Sequence, residues 1–92
     1  MSDEEFYSRF LENLKFSQKW PGPYIFKFII KEKTTNKLEI QKIFKGMNPV
    51  LSIKKSSKNN FLSLSISLKM QNPESVIKIY KTVSKLKGVI VL

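Results

Sequence analysis

The sequence predicts a single α+β domain of the split-βαβ type, and three observations carry that prediction. Leu62, Leu64, Ile66, Leu68 and Met70 alternate without a break against Ser63, Ser65, Ser67 and Lys69, a period of two that marks a strand with one apolar face. The polar stretch Lys55-Ser56-Ser57-Lys58-Asn59-Asn60 separates that strand from Val50 to Lys54, which makes the two a hairpin, because Asn tolerates the positive φ that such turns need. Asn72-Pro73-Glu74 then sets a capping residue, a proline at the first helical position and an early acid in helix-starting order.

The elements follow in chain order. Over residues 4 to 15, Phe6, Tyr7, Phe10, Leu11 and Leu14 recur at spacings of three and four, with Glu5, Arg9, Glu12 and Asn13 between them, so an amphipathic helix is expected. Its early acids suit the N-terminal end of the helix dipole. Trp20-Pro21-Gly22-Pro23 cannot continue a helix and makes a rigid connector. Trp20 has two roles open to it, anchoring that connector against the sheet or rimming a ligand pocket.

Tyr24 to Ile30 is aromatic and β-branched, with Tyr24, Phe26, Phe28 and Ile30 on one face and Ile25, Lys27 and Ile29 on the other. A strand buried on one side and largely covered on the other fits. Thr34-Thr35-Asn36 is expected to cap a short helix, with Asn36 and Glu39 spaced as a capping box and Ile40, Ile43 and Phe44 facing inward before Gly46. After the hairpin, Val76, Ile77, Tyr80, Val83 and Leu86 form the buried stripe of the last helix, which Lys85, Lys87 and Gly88 close. Val89 to Leu92 reads as a short final strand.

The resulting order, β-α-β-β-α-β preceded by one extra helix, implies an antiparallel four-stranded sheet with two helices on one face, a ferredoxin-like arrangement. Tyr24 to Ile30 and Leu62 to Met70 become the central strands. Residues 1–19 are then the N-terminal helix and 20–92 the domain proper. Of the two edges, Val50 to Lys54 is guarded by lysines whereas Val89 to Leu92 is not, and the latter is the expected surface for a partner protein or a second copy of the chain. The stripe of Phe6, Phe10 and Leu14 is expected to pack on the serine face of the sheet or on a twin subunit.

Composition narrows the function classes. Ninety-two residues supply one core, and 41% hydrophobic with 26% charged residues is a globular balance. No apolar run spans a bilayer and the acidic start is the wrong charge for a targeting peptide, so the expectation is a cytoplasmic protein without membrane contact. The net charge of +10 points toward nucleic acid, but sixteen of the seventeen basic residues are lysine in an Ile- and Asn-rich chain, the bias of an AT-rich genome. The sequence has no His and no Cys, hence neither the commonest general base nor a thiolate, and no cluster with metal-ligand spacing; an enzyme, a metal site and a cofactor are not expected. Stacking of RNA bases needs aromatics on the open sheet face, where the third strand has Ser63, Ser65 and Ser67. Nucleic-acid binding by Lys54, Lys55 and Lys58 with Phe61 is accordingly the secondary reading.

The segments Pro23-Tyr24-Ile25-Phe26-Lys27, Ser56 to Ile66 and Gly88 to Leu92 together resemble the YbeD-like bacterial proteins, a family of unknown function. The resemblance covers roughly residues 20 to 92 and departs from the family in the N-terminal helix, the short first internal helix and Asn59-Asn60, where a glycine is common. It implies a fold close to the ACT regulatory domains, which bind small metabolites. The leading expectation is therefore a non-enzymatic regulatory or interaction module. Its candidate site for a metabolite or partner is the hairpin, at Lys55, Ser56, Ser57, Lys58, Asn59, Asn60, Phe61 and Ser63, where hydroxyls, amides and turn N–H groups could hold a small anion.

Overall fold

Residues 3–56 and 60–92 are described by a computed structural model of the chain. The element order is α1 (Asp3–Ser17), β1 (Gly22–Lys31), α2 (Asn36–Ile43), β2 (Val50–Lys55), β3 (Phe61–Met70), α3 (Pro73–Val83) and β4 (Ile90–Val91). The strands form one antiparallel sheet in the order β2-β3-β1-β4, the predicted split-βαβ topology with β1 and β3 central.

Pairing of β1 with β3 runs for ten residues, from Gly22 opposite Met70 to Lys31 opposite Phe61. It sets Phe26, Phe28 and Ile30 beside Leu64, Ile66 and Leu68 on the face that carries the helices, where all six are buried. Val76, Tyr80 and Val83 from α3 and Ile40 from α2, with Phe44 just beyond it, complete the core. Phe26 is its hub, 5.2 Å from the Phe44 ring and 5.2 Å from the Tyr80 ring. Each such ring contributes about 1.5–3 kcal/mol on complete burial. The hydroxyls of Tyr24 and Tyr80 lie 3.0 Å apart and share a hydrogen bond. Burial, then that bond, pushes the Tyr80 phenol far above the ordinary tyrosine range.

α3 starts as its sequence predicts, with Asn72 Oδ1 accepting from the Ser75 N–H at 2.8 Å and Pro73 in the first turn. It stops at Val83, earlier than its lysines suggested. The Ser84 hydroxyl binds the Lys81 carbonyl at 2.7 Å and tight turns close Lys85 and Leu86, before Gly88 turns the chain at φ 81°. Only Ile90 and Val91 then pair with β1, and the Leu92 N–H extends the ladder to the Lys27 carbonyl at 3.0 Å.

Two expectations are corrected. Asn36 does not cap α2: Thr35 holds that position and the Thr35 hydroxyl binds Glu39 Oε1 at 3.0 Å, while Asn36 opens the helix with its side chain buried. Its Nδ2 donates to the Lys87 carbonyl at 3.0 Å, tying the start of α2 to the connector before β4. That tertiary acceptor takes the amide away from the local cap. α1 packs beside α3, not on the serine face, with the Phe10 ring 5.3 Å from Tyr80, Leu14 buried and Lys81 5.1 Å from the centre of the Tyr7 ring. Trp20 anchors the connector as expected, its ring 6.5 Å from that of Tyr24 on β1, and also ties it to α1 through an Nε1–H bond to the Leu14 carbonyl at 2.9 Å.

Replacing Asn36→Ala removes its part-buried bond to the Lys87 carbonyl and is expected to cost about 0.5–1.5 kcal/mol, seen as a lower urea midpoint at constant slope. Tyr80→Phe gives a second test. Stability that rests on the neutral Tyr80 phenol is complete below the unfolded value of about 10 and is lost as pH rises beyond it, because the unfolded chain releases a proton that the folded chain keeps. Urea melts across that window should show a steeper alkaline loss in the parent than in Tyr80→Phe.

Candidate functional site

The three helices share one side of the sheet, so the other side is open. Its composition follows from strand periodicity and register. Rows run across the strands: Lys54, Ser63, Ile29 and Ile90 in one, Ser52, Ser65 and Lys27 in the next, then Val50, Ser67 and Ile25. Phe61 and Lys31 pair in a further row on the same side, toward the hairpin. The serines of β3 are half-buried, whereas Val50 is 70%, Ile25 53% and Ile90 51% exposed.

At the hairpin base this face sinks into a shallow depression of about 450 Å³ lined by Ile29, Lys54, Lys55, Ser56, Phe61, Ser63 and Ile90. Four of the eight residues singled out in the sequence, Lys55, Ser56, Phe61 and Ser63, meet there. Asn60 shapes the turn: it takes φ 54°, its carbonyl accepts from the Glu32 N–H at 2.7 Å, and the Ser56 N–H closes onto the Phe61 carbonyl at 2.9 Å. Ser57, Lys58 and Asn59 lie outside the described residues.

Lys55 is held at 3.1 Å from Glu32, which leaves Lys54 as the lining lysine with no such acid. The depression thus joins an apolar floor of Ile29, Ile90 and Phe61 to one ammonium and the Ser56 and Ser63 hydroxyls. Chemically it suits a small molecule or peptide segment with an apolar body and an anionic or hydrogen-bonding end. Ile29 and Ile90 were not singled out in the sequence; only the β1–β4 register brings them to the hairpin. Among the described residues no group of three acidic, His or Cys side chains is placed to hold a metal ion, and no helix is long and apolar enough to cross a membrane. Trp20 is not among the residues lining the depression.

Comparison with known proteins agrees with this architecture. A family model described as "Protein of unknown function (DUF493)" matches residues 16–92. No curated protein matches. Among solved structures, a solution structure of protein HP0495 from Helicobacter pylori is similar with a TM-score of 0.64 and 23% identity, over 83% of this chain and 86% of that one. A second solution structure of the same protein gives 0.58 and 26%, over 83% and 95%. The ACT domain from the GTP pyrophosphokinase of Chlorobium tepidum superposes with a TM-score of 0.52 at 12% identity, over 77% of this chain and all of that one.

Because Asn60 occupies the left-handed region, Asn60→Gly should leave thermal stability unchanged or slightly raised. Asn60→Val should lower it by about 1–2 kcal/mol, with amide shifts concentrated in the hairpin.

Proposed function

Because the chain belongs to the DUF493 family, the YbeD-like proteins of unknown function, we propose that it is a non-enzymatic regulatory or interaction module. It binds a small metabolite or a partner segment in the depression at the hairpin base. The observation that carries this reading is the convergence of Lys54, Ser56, Phe61 and Ser63 with Ile29 and Ile90 on an otherwise uncovered sheet face. Likeness of fold to an ACT domain supports a regulatory rather than a catalytic role. The final strand supplies a second contact, for a protein partner or a second copy: Ile90, Val91 and Leu92 are 51%, 43% and 64% exposed and carry no charge along that edge.

The test is a titration of the ¹⁵N-labelled chain with a panel of amino acids, nucleotides and small carboxylates, followed by light scattering with and without the responding compound. Shifts confined to residues 54–63, Ile29 and Ile90, lost in Lys54→Glu, are expected for the ligand-binding module. Silence across the panel at about 1 mM, together with a monomer at high concentration, would overturn it. Labelled RNA and DNA titrated at low salt provide the contrasting outcome, since shifts spread over Lys27, Lys31 and Lys54 that vanish as salt rises would assign the +10 charge to nucleic acid instead.

A further inference from the structure

The edge strand β2 is accessible on both faces, and the side it turns toward the helices is the informative one. Leu51 pairs with Ile66 and Ile53 with Leu64, so both belong by register to the core side. Yet Leu64 and Ile66 are 0% and 2% exposed, while Ile53 is 41% exposed and Leu51 is only half-buried. The cause is the brevity of α2. Its eight residues amount to about 12 Å of helix, and it packs on β1 and α3, not on β2.

A groove of about 660 Å³ is left between α2 and β2. Its floor is Phe44, Leu51 and Ile66. One wall is the outer face of α2 and the turn after it, where Leu38, Lys42 and Lys45 follow one another at i, i+4 and i+7. Leu38 is 60% exposed and continues the apolar lining of Phe44, Leu51 and Ile66 rather than standing alone. No acidic residue lines the groove, and Glu39, the acid of α2, is engaged by the Thr35 hydroxyl.

We propose that this groove docks an amphipathic helix of a partner protein whose polar face is acidic. The apolar floor takes the helix's hydrophobic stripe, and Lys42 and Lys45 meet carboxylates beside it. A second copy of this chain is the less suited occupant, since its net charge of +10 opposes the lysine wall of the groove. An added strand is less suited too. A strand on the edge of β2 would turn only every second side chain toward this face, whereas a helix lying in the groove sets its apolar stripe against Leu38, Phe44 and Leu51 together.

The probe is a synthetic helical peptide of about 15 residues with leucine on one face and glutamate elsewhere, titrated into the full ¹⁵N-labelled chain. One control carries lysine in place of glutamate, and the other carries serine in place of leucine. Amide shifts at Leu38, Gln41, Lys42, Lys45, Gly46 and Leu51 are expected for the leucine–glutamate peptide alone. Affinity should drop about tenfold in the double variant Lys42→Glu, Lys45→Glu, and several-fold between about 50 and 500 mM salt. Leu38→Ser, an exposed change that leaves the core intact, should weaken binding while the amide spectrum stays folded. No shift at about 1 mM peptide, equal binding of either control, or indifference to Leu38→Ser would overturn the proposal. Concentration-dependent shifts at these residues without peptide would overturn the choice of partner in favour of self-association. Shifts confined to Lys54, Ser63 and Ile90 would place the peptide in the open-face depression, so the two surfaces are read separately in one experiment.

Discussion

The ten-residue pairing of β1 with β3 is the constraint on which the rest of the molecule depends. Side chains alternate across a sheet, so sliding one of these strands by a single residue would carry Phe26, Phe28 and Ile30, or Leu64, Ile66 and Leu68, from the core to water. The register in turn fixes which side the helices must cover and which side stays open. It aligns the hairpin so that Lys54, Ser63 and Ile29 share a row, and it supplies the strand against which the two-residue β4 forms. The core and the candidate site are thus two faces of one register.

Much of this was legible because it was local. The alternation from Leu62 to Met70 shows both the strand and its inner face, and Asn72-Pro73 marks a helix start whose cap needs nothing from elsewhere in the chain. The hairpin's need for an Asn at positive φ is likewise a property of one turn, and Asn60 meets it. What the chain's order did not disclose is non-local. Asn36 looks like a cap until the Lys87 carbonyl, 51 residues away, is brought to its amide. The amphipathic stripe of α1 says that it packs, not against what; Tyr80 on α3 decides that. Within the candidate site, Ser56, Phe61 and Ser63 are sequence neighbours and could be picked out together, while Ile90 reaches them only through β1.

Charge is distributed unevenly over this frame. Four of the seven acids lie on α1, the helix beside α3, while the wall of α2 and the edge at β2 present Leu38, Lys42, Lys45, Lys54 and Lys55, of which, among the described residues, Lys55 alone is paired with an acid, Glu32. An even lysine excess would act as a diffuse counter to acidic molecules. Concentrated beside two uncovered apolar strips, the same lysines become directional, because hydrophobic contact and attraction then favour the same pose.

The serines of β3 carry one further meaning. Ser63, Ser65 and Ser67 are short side chains on a central strand, flanked by longer ones at Ile25, Lys27 and Ile29 on β1 and at Val50 and Lys54 on β2. With strands about 4.8 Å apart and residues about 3.3 Å apart along each, the sheet carries a trough roughly 10 Å from wall to wall and somewhat longer than it is wide, its wall breached at Ser52. Such a relief selects by shape before it selects by chemistry. It accepts narrow molecules lying along the strand and turns away broad flat ones, and a single larger side chain at Ser65 would divide it in two.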